Sequence, residues 1–133
     1  IIFYRENSSF KYLLLKYRVH GQTHWDFVKG SIEKGESALE TAKREAFEET
    51  SISNFKVLED FVDEINYSYK QDDGEIVERN LKYFLFEVSV NAKVKISGEH
   101  SAYKWVDFEE ANTLLKFDNQ KNTLEKANFF LLS

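Results

Sequence analysis

The sequence predicts an α/β domain in which a mixed β-sheet lies between helical layers. Strand-like segments come first, then one helix, then more strand-like segments and two final helices, which is the order of a sheet covered by helices. Residues 81–88 are apolar at nearly every position, and such a strand is covered on both faces. The chain has 133 residues, of which 42% are hydrophobic, so we expect a single domain over residues 1–133.

Three strands are predicted ahead of the first helix. Residues 1–5 and 11–17 are apolar runs separated by a polar turn. Within the second run, Tyr-Leu-Leu-Leu at 12–15 indicates a buried strand. Residues 24–30 form a third, short strand that leads into a glycine loop.

The first helix is predicted to open at Ser37. Ser37 and Glu40 form a capping box, and no glycine or proline follows before Thr50. An apolar stripe on this helix consists of Leu39, Ala42 and Ala46. The helix is therefore expected to dock this stripe on the core.

The second half of the chain predicts a hairpin, another strand and two helices. Strand-like segments at 55–69 and 76–90 flank Asp73-Gly74, a hairpin signal, and residues 102–106 form a further strand. Asp107 with Glu110 caps a helix that ends near Leu115. The last helix buries Leu124, Ala127 and Leu131.

Composition limits the partners of the chain. Its net charge of −5 makes nucleic acid an unlikely partner and argues against a membrane surface, because both require a basic patch. It has no cysteine, no apolar run of membrane-spanning length and no signal-peptide pattern, so cytoplasm is the expected compartment. Because the chain lacks methionine, we expect further residues before Ile1.

Three carboxylates share one face of the first helix. Glu45, Glu48 and Glu49 fall within about 100° of arc, because residues three and four apart are neighbours on a helix. Two such charges about 5 Å apart repel by roughly 3 kcal/mol at an effective dielectric near 20. Carboxylate oxygens without cysteine favour a hard divalent ion, so Mg²⁺ or Mn²⁺ is the predicted cofactor.

These carboxylates belong to a longer pattern. Its glycine and charged positions are Gly30, Glu36, Arg44, Glu45, Glu48 and Glu49. With each residue type at about 6% of usage, a chance match is on the order of 1 in 100,000. The pattern resembles the motif of the Nudix hydrolases, which implies a Nudix-type α/β/α sandwich with a mixed β-sheet.

The resemblance also implies roles. A metal held on a rigid helix suits hydrolysis of a phosphoanhydride, because it polarises the phosphoryl oxygens and acidifies a water. Glu45, Glu48 and Glu49 are the candidate metal ligands, and the resemblance adds the backbone carbonyl of Gly30. Glu36 and Arg44 are expected to form an ion pair that orients the cluster.

Ser51 departs from the family pattern, which has glycine at this position. A residue just past a helix end often adopts a left-handed backbone, which serine tolerates less well, at a cost of about 1 kcal/mol. We therefore expect the turn after the helix to be strained or differently shaped. Ser51 is not a ligand in the pattern, so the chemistry is not affected.

Outside the motif the chain is similar to one Nudix subfamily, the asymmetric diadenosine tetraphosphate hydrolases. The matching segments are residues 1–3, 12–15, 24–25, 29–30, 64–67, 99–100 and 102–105. The resemblance implies an extra metal or base carboxylate at Glu99, adenine stacking by Tyr67, and phosphate contacts from Lys29 and Lys82. The general base remains open between Glu45, Glu48 and Glu99.

Four of the candidate site residues outside the helix have a structural alternative. Tyr67 could be packing in an aromatic-rich chain, Lys29 an exposed strand-end lysine, and Glu99 a loop carboxylate. His100 would either orient phosphate or cap a loop. His24, in the segment ahead of the motif, and Phe117, a possible second wall of a base pocket, complete the set.

The leading hypothesis is metal-dependent hydrolysis of diadenosine tetraphosphate to ATP and AMP. One alternative is another Nudix pyrophosphohydrolase acting on (d)NTPs or triphosphorylated RNA ends, although the acidic charge disfavours RNA. The other is a Nudix-fold binding module without turnover. The sequence leaves the oligomeric state and the preferred length of the polyphosphate open.

Overall fold

The computed structural model describes residues 1–19, 21–29 and 32–133. Within these ranges it contains six strands and three helices, in the order β1 Ile2–Glu6, β2 Ser9–Val19, β3 Gln22–Asp26, α1 Ala38–Thr50, β4 Lys56–Lys70, β5 Ile76–Glu87, β6 His100–Val106, α2 Phe108–Leu114 and α3 Asp118–Leu132. In this part of the chain no helix has the length and apolar character needed to cross a bilayer.

The strands form one mixed sheet, as predicted. Its order is β3-β2-β1-β5-β4, and β6 pairs with residues 12–17 of β2. β1 and β5 are parallel neighbours, whereas the other pairs are antiparallel. Residues 12–15 of β2 are fully buried, which confirms the predicted core strand.

Apolar clusters cover both faces of the sheet. On one face, Ala46 is buried and Leu39 and Ala42 pack against the same cluster, so α1 docks through its predicted stripe. On the other face, α2 and α3 contribute a cluster that includes Leu115, Leu124, Ala127 and Leu131. The result is an α/β/α sandwich.

Strand β5 lies between these layers. Tyr83 and Leu85 belong to the cluster under α2 and α3, whereas Phe86 and the following Val88 belong to the cluster under α1. Alternation of side chains across a strand places successive apolar residues on opposite faces. The prediction of a strand covered on both sides is confirmed.

The third strand ends earlier than predicted. It stops at Asp26, whereas the sequence predicted a strand through residue 30. The carboxylate of Asp26 accepts a hydrogen bond from the Phe27 amide at 2.7 Å and pairs with Lys29 at 2.6 Å. These local bonds replace sheet pairing, although Phe27 is still buried in the core.

The ends of α1 follow from the side chains at its caps. Ser37 accepts a hydrogen bond from the Glu40 amide, and Glu40 accepts one from the Ser37 amide, so the predicted capping box is present. Ser51 follows the helix with φ 63° and ψ 11°, the left-handed conformation expected there. The helix thus presents its last turns in a fixed orientation.

Candidate active site

An arginine fork organises the acidic face of α1. The Arg44 guanidinium donates to both carboxylate oxygens of Glu36, at 2.7 and 3.1 Å. This hydrogen bonding lowers the pKa of Glu36 to about 2. The ion pair expected from the sequence therefore forms.

The same guanidinium reaches two of the candidate metal ligands. Nη1 of Arg44 donates to Glu45 at 2.8 Å and to Glu48 at 3.0 Å. Burial raises the pKa of Glu45, and Arg44 opposes that shift. Arg44 thus offsets the repulsion among carboxylates on one face of the helix.

Glu49 is the buried member of the carboxylate set. Only 5% of the residue is exposed, and its carboxylate oxygens lie 3.4 Å from the Tyr17 hydroxyl. Within residues 1–19, 21–29 and 32–133, no lysine or arginine lies at ion-pair distance from it. Burial, and then the charge of Glu45, raises its pKa to about 8. In the metal-free protein Glu49 therefore holds a proton at neutral pH.

His100 lies behind Glu49. Its side chain is fully buried, its Nδ1 is 3.0 Å from the Ser97 hydroxyl, and its Nε2 is 3.4 Å from a carboxylate oxygen of Glu49. That Nε2 has no hydrogen-bond partner among the described residues. Burial lowers the pKa of His100, so its contact with Glu49 is not an ion pair near neutral pH. His100 is the first residue of β6, and its two predicted roles, orienting phosphate and capping a loop, both stay predictions.

Glu99 comes from a distant part of the chain. Its loop is tied to the end of α1, because the Lys95 amide donates to the Thr50 carbonyl at 2.9 Å and the Ser97 amide donates to the Glu49 carbonyl at 3.3 Å. Burial is the main cause of the raised pKa of Glu45 and of Glu49, and the charge of Glu99 adds to both shifts. The backbone bonds therefore place the Glu99 loop beside the end of α1.

The fit of these residues to a divalent ion rests on their chemistry. Among the described residues, no group of three or more His, Cys, Asp or Glu side chains is arranged to hold a metal as it stands. Arg44 draws two of the carboxylates toward itself, and Gly30 lies outside the described residues. The donors are nonetheless hard oxygens, and Glu49 is a buried carboxylate without a lysine or arginine partner in the described ranges. A divalent ion near Glu49 would favour its charged form.

A small cavity of about 50 Å³ lies between α1 and the sheet, and we call it the carboxylate cavity. Its lining includes Glu45 from α1, Lys82 from β5 and Lys29 from the loop after β3. Among the described residues Lys82 is not paired with a carboxylate. The two lysines predicted to contact phosphate thus share a cavity with a candidate metal ligand.

A larger cavity of about 640 Å³ lies on the opposite face of the β4–β5 hairpin, and we call it the aromatic cavity. Tyr67 from β4 and Phe117, next to α3, both line it, together with Tyr83 and Lys29. Half of Phe117 is exposed. The cavity therefore has aromatic side chains from two elements, as a base pocket requires.

His24 is placed beside this cavity. Its ring stacks on Tyr17 with centroids 5.9 Å apart and meets Phe117 edge-on at 6.2 Å. It is not among the residues that line either cavity. His24 thus contacts the ring of Phe117, which lines the aromatic cavity, and its predicted role in substrate binding stays a prediction.

Sequence reasoning missed Asp26 and Tyr17. Asp26 is fully buried at the loop that carries Lys29, and Tyr17 lies against Glu49. Asp26 left a usable signal, because it is a charged residue between Trp25 and Phe27 in an apolar run. Tyr17 gave no signal, since its contact with Glu49 depends on how α1 packs on β2.

Comparison with known proteins places this geometry among relatives. Residues 1–127 match the family model described as the NUDIX domain. A protein of Mus musculus named bis(5'-nucleosyl)-tetraphosphatase [asymmetrical] is 39% identical over 131 residues, which cover 96% of this chain and 85% of the mouse protein. The protein of that name from Sus scrofa is 35% identical over 131 residues, with the same coverage of 96% and 85%.

A solved structure is also similar over nearly the whole chain. The crystal structure of a C. elegans Ap4A hydrolase binary complex superposes with a TM-score of 0.85 at 26% sequence identity. The match covers 98% of this chain and 93% of the C. elegans chain. The likeness therefore extends beyond the motif to the strands and to the last two helices.

Proposed function

This chain belongs to the Nudix family of hydrolases, and on that premise we propose that it cleaves diadenosine tetraphosphate asymmetrically into ATP and AMP. The proposal rests on one observation. The carboxylate cavity beside the acidic face of α1 and the aromatic cavity lie on opposite faces of the β4–β5 hairpin, and Lys29 lines both. Relatives named for this activity, at 35 to 39% identity, support it. Water adds to one phosphorus, and the bond from that phosphorus to its bridging oxygen breaks.

Nudix hydrolases generally use divalent metal ions, and we propose that Glu45, Glu48, Glu49 and Glu99 hold Mg²⁺ or Mn²⁺ here, with the carbonyl of Gly30. A bound ion supplies polarisation of the phosphoryl oxygens and a more acidic water. Hydrogen bonds from Arg44 hold Glu45 and Glu48 on one side of α1. Glu45, Glu48 and Glu99 are the carboxylates available to take the proton of the attacking water.

The aromatic cavity is suited to one adenine. Tyr67 and Phe117 line it from different elements, so a planar base can lie against aromatic surface. Asn119 and Gln120 add amide groups to the same lining, which can meet the polar edge of a base. A nucleoside here directs its phosphates toward Lys29, which lines both cavities.

The phosphates are met by local cations. The net charge of the chain is −5, so a polyanionic substrate needs lysines at the site together with the metal. Lys29 and Lys82 both line the carboxylate cavity. We assign them to the phosphate chain.

Product analysis tests the proposal directly. Purified protein with Mg²⁺ is incubated with a panel of diadenosine polyphosphates, nucleoside triphosphates and 5'-triphosphorylated RNA, and the products are separated by ion-exchange chromatography. The expected products from diadenosine tetraphosphate are ATP and AMP in equal amounts. ADP alone, or turnover only of simple triphosphates or RNA, would overturn the substrate assignment.

A Glu48→Gln variant separates turnover from binding alone. We expect a loss of activity by orders of magnitude, because a metal ligand or base is removed, with the folded far-UV circular dichroism spectrum retained. Unchanged activity would show that Glu48 is neither a metal ligand nor the general base.

The base pocket is tested by aromatic substitutions. Tyr67→Ala should raise KM for diadenosine tetraphosphate about tenfold, because base stacking on an aromatic ring is worth about 1–3 kcal/mol. Tyr67→Phe should keep KM within about twofold, since the ring remains. Tyr103→Ala, at an exposed tyrosine that lines neither cavity, is the matched control.

A further inference from the structure

A buried carboxylate, Asp26, has no role in the function proposed above. Its side chain is fully buried at the end of β3. One oxygen accepts a hydrogen bond from the Phe27 amide at 2.7 Å, and the other lies 2.6 Å from the Lys29 ammonium. That second oxygen has no further hydrogen-bond partner among the described residues. Because aspartate is almost never fully buried unless it is paired, Lys29 is the group that compensates this charge.

Lys29 lies where the two cavities meet. It lines both the carboxylate cavity and the aromatic cavity, and a third of its side chain is exposed. Its ammonium is also 5.9 Å from the centre of the Tyr17 ring. An ammonium group has three donors, so pairing with Asp26 leaves donors for a ligand.

We propose that Asp26 is a positioning residue that holds the Lys29 ammonium between the two cavities. There the ammonium binds the phosphate that lies between the bound nucleoside and the bond that is cleaved. The inference rests on the proposed function, which places the nucleoside in the aromatic cavity and the metal beside α1. A free lysine loses rotamer freedom when it binds a ligand, and the contact with Asp26 imposes that order beforehand. Asp26 also lines the aromatic cavity, but its side chain has no exposed surface, so it acts on substrate through Lys29.

A purely structural ion pair makes a different prediction. If Asp26 only fixed the turn after β3, its loss would weaken folding. It would then lower phosphate binding to the same extent whether or not position 29 carried an ammonium. If it positions Lys29, its effect on phosphate binding must vanish when the ammonium is absent. A double-mutant cycle measures this difference.

The cycle uses Asp26→Asn, Lys29→Met and the double variant. Asparagine keeps an acceptor for the Phe27 amide and removes the charge that holds Lys29. Binding of inorganic tripolyphosphate is measured by calorimetry, and KM and kcat for diadenosine tetraphosphate are measured with Mg²⁺. We expect Asp26→Asn to weaken tripolyphosphate binding and to raise KM, each about tenfold, with kcat within about twofold. In the Lys29→Met background, Asp26→Asn should change neither quantity by more than about twofold.

The chain offers a matched control in Asp63→Asn. Asp63 is another largely buried carboxylate, with 9% of its side chain exposed and the Lys126 ammonium at 3.0 Å, and it lines neither cavity. Its loss should lower thermal stability and leave tripolyphosphate affinity and KM unchanged. If Asp26→Asn does not fold, Asp26→Ser, which also retains an acceptor beside the Phe27 amide, takes its place with the same expected outcomes.

Several results would overturn the inference. They are unchanged or tighter tripolyphosphate binding by Asp26→Asn, an equal loss in the Lys29→Met background, and no binding of tripolyphosphate by the wild-type protein. Failure of the proposed function is a separate result. A wild-type protein that does not cleave diadenosine tetraphosphate would refute that function, while the tripolyphosphate cycle would still decide the role of Asp26.

Discussion

At the scale of single residues, Arg44 determines how the carboxylates of α1 are arranged before any metal binds. It donates to Glu36 through two parallel bonds and to Glu45 and Glu48 through a third nitrogen. Only a planar guanidinium provides this set of donors, because a lysine ammonium is a point charge.

We therefore predict that Arg44→Lys lowers kcat by about 10- to 100-fold, because a misplaced ligand set costs rate even when the charge is conserved. Steady-state kinetics with saturating Mg²⁺ measures this. Arg5→Lys is the matched control, since Arg5 pairs with Glu87 at 3.0 Å and lines neither cavity. Wild-type kcat in Arg44→Lys would show that the fork is unnecessary.

Glu49 gives a prediction about pH. Its pKa is raised from 4.5 to about 8, so between these values the unfolded chain releases a proton that the folded, metal-free protein keeps. As pH rises from 4.5 to 8, Glu49 therefore lowers the free energy of unfolding by on the order of 3–5 kcal/mol in total. Above pH 8 this loss of stability no longer changes with pH, because the carboxyl group is ionised in both the folded and the unfolded chain.

Urea unfolding in EDTA at pH values from 5 to 8 measures this effect. Glu49→Gln should remove the contribution and be more stable than wild type at pH 8, whereas Glu48→Gln should retain it. Saturating Mg²⁺ should make the free energy of unfolding of the wild-type protein depend less steeply on pH, because an ion bound to the folded state favours the charged carboxylate. The prediction would be contradicted if the free energy of unfolding depended on pH equally in the wild-type protein and in Glu49→Gln.

At the scale of elements, the end of α1 combines strain with a connection. Ser51 has φ 63°, where an L side chain is disfavoured, and its hydroxyl donates to the Lys95 carbonyl at 3.2 Å. The family pattern has glycine at this position. The hydroxyl contact is exposed, so it offsets only part of the strain.

Ser51→Gly should accordingly raise the free energy of unfolding by up to about 1 kcal/mol, because glycine adopts the left-handed backbone without a Cβ penalty. Chemical denaturation monitored by circular dichroism measures the change. Ser51→Ala separates the backbone strain from the hydroxyl contact, since alanine retains the strain and lacks the hydroxyl. This variant should be less stable than the wild-type protein. Equal stability of the glycine and alanine variants would mean that the strain is absent.

Local chemistry explains which elements could be predicted from the sequence. The Ser37 capping box identified the start of α1, and the apolar run at 81–88 identified a strand with two covered faces. The end of β3 was not predictable, because the side chain of Asp26 redirects the chain there. At the site, the motif located the carboxylates and the Glu36–Arg44 pair, but the further bonds from Arg44 to Glu45 and Glu48 depend on side-chain rotamers that spacing does not specify.

At the scale of the whole molecule, one sheet carries both apolar clusters. Strands β1, β2 and β5 contribute residues to each cluster, so neither helical layer has a sheet of its own. Loss of packing on one face should therefore weaken the other. The domain is expected to unfold as one cooperative unit.

Leu124→Ala tests this. Leu124 of α3 is fully buried, so its truncation should cost about 2–5 kcal/mol. Circular dichroism and tryptophan fluorescence should report coincident transitions at lower urea. Leu132→Ala, on the same helix at a residue that is 67% exposed, should change stability by less than about 0.5 kcal/mol. Separate transitions for the two probes would mean that the layers unfold independently.

The two backbone hydrogen bonds that tie residues 95 and 97 to the end of α1 have a consequence for how the gene can change in length. Glu99 lies two positions beyond the second tie, so an insertion or deletion at residue 98 would shift its carboxylate relative to Glu45 and Glu49. Among the described residues the hairpin tip at 71–75 has no such tie to α1, and insertions there would leave the candidate carboxylates in place. Length variation tolerated by selection should therefore accumulate at the tip and be purged around residue 98.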